Sequence, residues 1–208
     1  MNANNASDDR AIARAADALG DGDLVVYPTE TVYGLGANAL ESTAVERAFE
    51  VKGRDRDKPV SLAVPTFETA LEAGYIEATA RERAFAERFL PGPITLLCER
   101  TSVVPDVLCA GRDRVGIRVP DCKQALSLLE AAPCPITATS ANVSGQPSAR
   151  TVAEIDGQVR EEVVVLDGGE TPGTESTVVD VSSETIHRRG ALADEIAAWL
   201  EGENGEER

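Results

Sequence analysis

The chain has 208 residues carrying 20 basic and 36 acidic side chains, a formal net charge of −16, and nowhere a run of 18 apolar residues. That length buries about 70% of the unfolded surface in one unit, and the hydropathy pattern excludes a membrane-spanning helix. The excess of acid works against nonspecific nucleic-acid binding, which draws its affinity from neutralised phosphates.

In chain order, Ser7 is placed to cap a helix over 7–19, with Ala11, Ile12, Ala15, Ala16 and Leu19 on one face and Gly20 as its stop. The apolar LVVY, 24–27, is a strand that Pro28 ends. PTETVYGLGANA then concentrates hydroxyls, a carboxylate and a Gly-x-Gly turn before a helix over 42–51, whose Ala44, Val45, Ala48, Phe49 and Val51 keep helical spacing. VSLAV, after Pro59, is the next strand, so strand, helix, strand order favours a sheet covered by helices. Helices follow over 67–73 and 79–90, the second capped by Thr79 with Ala80, Ala84 and Phe85 inward, until Pro91 and Pro93 stop helical structure.

ITLLCE, from Ile94, and VGIRVP, from Val115, are strands, with VVPDVL between them as a short helical turn. Arg118 interrupts the apolar alternation of VGIRVP, which predicts that it meets an anion. Asp121 caps a helix through 131, and PITATSANVSGQPSA runs from a strand into a loop of hydroxyls, amide and glycine. Thr151 starts a short helix, VVVLDGG and STVVDV are strands around the glycine-rich GGETPGTES, and a helix over 191–200 carrying Trp199 closes the order. The domain expected is one unit over 1–208, ordered over about 7–200, with an acidic, disordered tail over 201–208.

The four cysteines, at 98, 109, 122 and 134, form no C-x-x-C pair and the single histidine is His187, so free thiols are expected in place of a zinc site or disulfide scaffold. MNANNASDDR lacks the basic start and apolar centre of a signal peptide, which predicts a cytoplasmic protein without membrane association. Lysine occurs only at 52, 58 and 123, and an acidic, lysine-poor composition fits a protein kept soluble in high salt, where charges are screened within about 3 Å at 1 M. An ordinary acidic protein is the alternative.

Polar strand ends recur at 28–36, 138–148 and 168–177, and cationic side chains at 52–58, 112–118 and 188–189. Open sheets bind ligands at such strand ends, and hydroxyls, an amide and several cations without a nucleophile–base pair suit a phosphorylated ligand better than acyl transfer. No G-x-x-x-x-G-K-[ST] loop occurs, and YGLGANA does not complete a dinucleotide fingerprint. A nucleotide would therefore be held by side chains.

PTETVYGLGANA, KGR with a following KP, FLPGPITLL, VGIRVP, ATSANVSGQPS and ESTVVD, in this order, resemble the YrdC-like threonylcarbamoyl-AMP synthase family over about residues 10–200. The resemblance implies an α/β fold, a twisted mixed β-sheet flanked by helices with a large concave cationic cavity. It implies a short form of the family without a C-terminal extension. It also implies a nucleotidyltransferase making threonylcarbamoyl-AMP and pyrophosphate from L-threonine, bicarbonate or CO2, and ATP, and passing the product to the tRNA-modifying threonylcarbamoyl transferase machinery.

Carried over by motif, the catalytic signature falls on Lys52, Arg54, Ser140 and Asn142. ATP contacts fall on Arg54, Lys58, Arg114, Ser140, Ser148 and Arg188, with Arg189 the alternative to Arg188; threonine contacts fall on Thr29, Arg118, Ala138 and Ser176. Ammonium and guanidinium groups would neutralise the triphosphate, and Arg118 would clamp the amino acid's carboxylate. No carboxylate pair is set aside for a metal, so Mg2+ is expected to come with ATP. The competing readings are an RNA-binding module, which the net charge opposes, and a nucleotide-binding relative without synthase activity, which the intact K-x-R and S-x-N pairs oppose.

Overall fold

The computed structural model describes residues 3–202. Ten strands among the described residues pair into one mixed sheet. Its order is β10 (Thr185–Arg188), β9 (Thr177–Asp180), β5 (Ile94–Arg100), β6 (Arg114–Arg118), β3 (Ser61–Ala63), β7 (Ile136–Ser140), β2 (Gly34–Gly36), β1 (Leu24–Tyr27) and β8 (Val163–Val165), with β4 (Ile76–Glu77) pairing β5 off this path. The pairs β1–β8, β3–β6 and β5–β9 are parallel. The others are antiparallel.

Strand side chains alternate between faces, and β1 is covered on both. Val25 and Tyr27 pack with α1 (Ala3–Gly20) and α6 (Lys123–Ala131), while Leu24 and Val26 pack with α2 (Ser42–Lys52) and α7 (Gly157–Glu161). Two-sided burial is why LVVY is apolar without a break. In β6, Val115 and Ile117 join a core with Phe85 and Phe89 of α4 (Ala80–Phe89) and Ile196 and Leu200 of α8 (Ala193–Gly202). Its alternate residues, Arg114, Gly116 and Arg118, line a cavity on the other face.

Local chemistry sets the helix ends. Thr79 makes a capping box with Glu82, Thr79 N–H donating to Glu82 Oε2 at 2.8 Å and Glu82 N–H to Thr79 Oγ1 at 3.2 Å. Gly53 closes α2 in the left-handed region at φ 56°, its N–H returning to Glu50 O. Trp199 sets its indole edge-on to Phe85 with ring centres 5.1 Å apart, joining α8 to α4. The remaining helices are α3 (Phe67–Glu72) and α5 (Asp106–Cys109), with a 3-10 turn over Val152–Glu154.

Several expectations are corrected. The first helix starts at Ala3, so Ser7 lies inside it and is not its cap. The Gly-x-Gly of YGLGANA is strand β2, and the turn is the preceding polar segment; glycine is needed because a Cβ at Gly34 would lie 2.7 Å from the Tyr27 ring. Helix α6 begins after Cys122 without a side-chain cap, so Asp121 does not serve as one. Ala80 and Ala84 are exposed; the buried stripe of α4 is Glu82, Phe85, Ala86 and Phe89. The last helix begins at Ala193, two residues late, and β4 and α7 were too short to leave a periodic signal. The four cysteines are free, with Cys98 and Cys109 buried. The expected tail falls largely outside the described residues; 201 and 202 continue α8. Among the described residues, no helix is long and apolar enough to cross a membrane.

Candidate functional site

A cavity of about 510 Å³ opens on the sheet face lined by Arg114, Gly116 and Arg118 of β6, Thr95 and Leu97 of β5, Ala138 and Ser140 of β7, and Val178 of β9. Loops complete it: Thr29 and Thr31 after β1, Lys52 and Arg54 at the end of α2, 142–148 after β7, and Glu175 and Ser176 before β9. Small residues make the hollow. A Cβ at Gly116 would sit 2.6 Å from Thr95 Cγ2, so a side chain there would meet the floor.

The K-x-R and S-x-N segments, 88 residues apart, are joined directly. Lys52 is 1% exposed, and its ammonium donates to Ser140 O and, at 2.6 Å, to Asn142 O. Ser144 N–H closes the junction on Lys52 O at 2.8 Å. Burial, then the neighbouring Arg54 charge, pulls Lys52 down to about 7, with Glu175 opposing the shift. The lysine thus organises the S-x-N loop as well as lining the cavity, a structural role that spacing alone did not reveal. Asn142 Nδ2 donates to Val143 O and Gln146 O, while its buried Oδ1 has no hydrogen-bond partner among the described residues.

Arg54 folds its own loop, Nε donating to Lys58 O and Nη2 to Pro59 O, both at 3.0 Å. Burial first and Arg188 second hold its pKa below the usual guanidinium value. Arg188 reaches in from β10: Nε and Nη2 hold Ser176 O and Oγ at 2.9 and 2.8 Å, and Nη1 lies 3.1 Å from Glu175 Oε2. Ser148 Oγ donates to Glu175 Oε1 at 3.0 Å. Arg189 lies outside the cavity lining, on Asp194.

The other predicted residues divide by what already holds them. Arg118 meets the anion its burial demanded: Nη2 donates to Glu30 Oε1 at 2.7 Å, and Nη1 to Gly92 O and Ile94 O. Arg114 is tied by Nη2 to Glu82 Oε1 at 2.7 Å, Leu97 O at 2.6 Å and Asp180 Oδ1 at 3.2 Å. Thr29 Oγ1 donates to Val32 O and accepts from the N–H groups of Thr31 and Val32, shaping the polar turn. Ser176 Oγ also lies 3.0 Å from Thr95 Oγ1. Ala138 lines the cavity, whereas Lys58 does not; its ammonium is 2.6 Å from Asp55.

Of the twelve predicted positions, eleven line one cavity. Sequence reading did not single out Ser61, Thr95, Leu97, Gly116 and Val178, which lie on the sheet face away from the polar strand ends. Period-two alternation in VGIRVP was the available signal, since Gly116 falls between two arginines on the same face. Glu175, among the described residues the one carboxylate in the lining, is likewise not singled out by the sequence.

Fold and site define a mixed-sheet α/β protein with an arginine-lined pocket on its sheet face. The chain belongs to the Sua5/YciO/YrdC family, whose model, described as "Telomere recombination", matches residues 17–190. The threonylcarbamoyl-AMP synthase of Pyrococcus abyssi is 44% identical over 196 residues, covering 91% of this chain and 56% of that protein. The threonylcarbamoyl-AMP synthase of Klebsiella pneumoniae is 32% identical over 90% of this chain and the whole of that protein. The crystal structure of P. abyssi Sua5 complexed with L-threonine superposes with a TM-score of 0.84 and 41% identity, over 94% of this chain and 58% of that one. The chain therefore spans a little over half of the P. abyssi protein and the full length of the K. pneumoniae one.

Proposed function

We propose that the cavity is the active site of an L-threonylcarbamoyladenylate synthase, which transfers an adenylyl group from ATP to a carbamate formed from L-threonine and bicarbonate or CO2. The observation that carries this reading is the meeting of Lys52, Arg54, Ser140, Asn142 and Arg188 around one pocket from three separate parts of the chain. Support also comes from the relatives named threonylcarbamoyl-AMP synthase and from the Sua5 structure with L-threonine.

In this reading the cations divide the work. Arg54 and Arg188, close enough to depress the Arg54 pKa, would neutralise phosphate oxygens, with Lys52 holding the S-x-N loop against them. Arg118 would face the amino acid's carboxylate, oriented by Glu30, Gly92 O and Ile94 O. The neutral amine of threonine adds to CO2 and loses a proton; a carbamate oxygen then attacks the α-phosphorus and pyrophosphate leaves. Catalysis is by alignment and charge stabilisation, without a covalent enzyme intermediate. The donor set does not fit a protein-held Mg2+: among the described residues Glu175 is the one carboxylate in the lining, and it is engaged by Arg188 and Ser148. The metal is proposed to arrive with the nucleotide.

The product would pass to the tRNA-modifying threonylcarbamoyl transfer machinery, and the setting proposed is the cytoplasm. The test is pyrophosphate release from ATP with threonine and bicarbonate omitted in turn. Release that needs both supports the reading; ATP binding without release under any condition favours a nucleotide-binding relative that has lost the activity.

A further inference from the structure

We infer that Glu175 is an internal competitor for the anion-binding donors of the cavity, and that it sets which anions the pocket accepts. The inference rests on the proposed function only in taking the ligand to be a polyphosphate. Its carboxylate accepts from Ser148 Oγ at 3.0 Å through Oε1 and lies 3.1 Å from Arg188 Nη1 through Oε2. A hydroxyl and a guanidinium edge are the donors that a phosphate oxygen seeks. Glu175 thus offers its two oxygens to the groups that an incoming phosphate must use, and it does so from within the lining itself.

The backbone beneath the carboxylate is held in place, while the side chain, engaged by Ser148 and Arg188, borders solvent. Glu175 O accepts from Ala191 N–H at 3.1 Å, and Gly190 packs so closely that a Cβ there would lie 2.7 Å from Ser176 C. Glu175 and Arg188 side chains are each about half exposed, at 45% and 46%. Displacement therefore needs only a side-chain rotation toward solvent. Its charge also acts across the site, since Glu175 opposes the lowering of the Lys52 pKa.

Selectivity follows from charge. A small anion that reaches only Ser148 and Arg188 gains about what the displaced carboxylate loses. A polyphosphate brings several oxygens, reaches Arg54 and Arg188 together, and repels the carboxylate outward. Glu175 therefore raises the threshold for occupancy, so weakly charged anions are rejected and polyphosphates are retained at some cost in affinity.

The test is calorimetric titration of wild type, Glu175→Gln and Glu175→Asp with pyrophosphate, sulfate and Mg·ATP at low ionic strength, with thermal unfolding as a check on folding. Glu175→Gln should bind pyrophosphate roughly two- to fivefold more tightly, the scale of a half-exposed charge interaction. Sulfate must displace the same carboxylate and should gain by a comparable factor, so that binding too weak to detect in wild type becomes measurable. Glu175→Asp, which keeps the charge but shortens its reach, should fall between and serves if the glutamine variant does not fold. Unchanged or weaker pyrophosphate and Mg·ATP binding in Glu175→Gln overturns the inference, the weaker result making Glu175 part of the ligand's own binding set. Failure of every form to bind pyrophosphate or ATP would overturn the proposed function as well, whereas normal ATP binding by wild type with no gain in the variant overturns this inference alone.

Discussion

Replacing Lys52 with methionine keeps the apolar stem and removes the ammonium. The carbonyls of Ser140 and Asn142 then lose the donor that joins the S-x-N loop to the end of α2. A buried acceptor left unsatisfied costs about 1–3 kcal/mol, so the two together cost about 2–6 kcal/mol. Against this stands the desolvation of the buried ammonium, which the substitution relieves and which is worth several kcal/mol. Taking about 5 kcal/mol for the two carbonyls and about 3 kcal/mol for the relieved desolvation, we predict a net loss of about 2 kcal/mol, or about 4–8 °C in Tm for a chain of this size. Urea unfolding would measure the loss, and hydrogen exchange should show faster exchange over 140–146, where the loop is no longer pinned. Unchanged stability and exchange in Lys52→Met, with nucleotide binding alone lost, would refute the reasoning and make the ammonium purely a ligand contact.

Lys52 also gives a pH dependence of two opposite signs. Its folded pKa of about 7 lies below the ordinary 10.5, so between those values the unfolded chain binds more protons and this group's contribution to stability rises with pH. Anion affinity that depends on the ammonium should fall across the same window. Comparing wild type with Lys52→Met at about pH 6 and about pH 9 isolates both effects, and same-sign changes would contradict the assignment. Glu82→Ala removes a 2%-exposed carboxylate that pairs with Arg114 and accepts from Thr79 N–H and Ser182 Oγ. Arg114 is 29% exposed and keeps Asp180 and Leu97 O, so the lost hydrogen bonds should cost about 1–3 kcal/mol in chemical unfolding, and a loss below about 0.5 kcal/mol would show that Asp180 suffices as the partner of Arg114. Gly190→Ala drives a methyl group against the backbone of Glu175 and Ser176, which cannot rotate away. A loss of about 1–3 kcal/mol is expected, with weakened ATP binding as the Arg188 strand shifts; a neutral substitution would mean that the 188–191 turn relaxes freely.

Much of the fold was legible because its signals are local. The apolar run of β1, the helical spacing in α2 and the Thr79 cap each report a structure formed within a few residues. What escaped was set by contacts distant in sequence. Gly34 and Gly36 form a strand because the Tyr27 ring lies against them, a constraint that a glycine pair alone does not announce. Glu82 is buried in α4 because Arg114 reaches it from β6, which no helical periodicity encodes. The site shows the same division. Polar strand ends and cations were visible as motifs, and their meeting in one pocket followed from the resemblance. The attachment of Lys52 to the Ser140 and Asn142 carbonyls, and of Glu175 to Ser148 and Arg188, depends on tertiary placement that spacing does not carry.

The central claim is the chemistry of the cavity, and it is tested most directly by following the carbon atom. The protein would be incubated with ATP, L-threonine and 13C-bicarbonate and the products examined by mass spectrometry, beside Ser140→Ala and Arg54→Ala variants. The account predicts an AMP adduct of threonine carrying one labelled carbon, together with pyrophosphate, and its near loss in both variants. ATP consumed without a labelled adduct, or an adduct formed equally well by the variants, would contradict it.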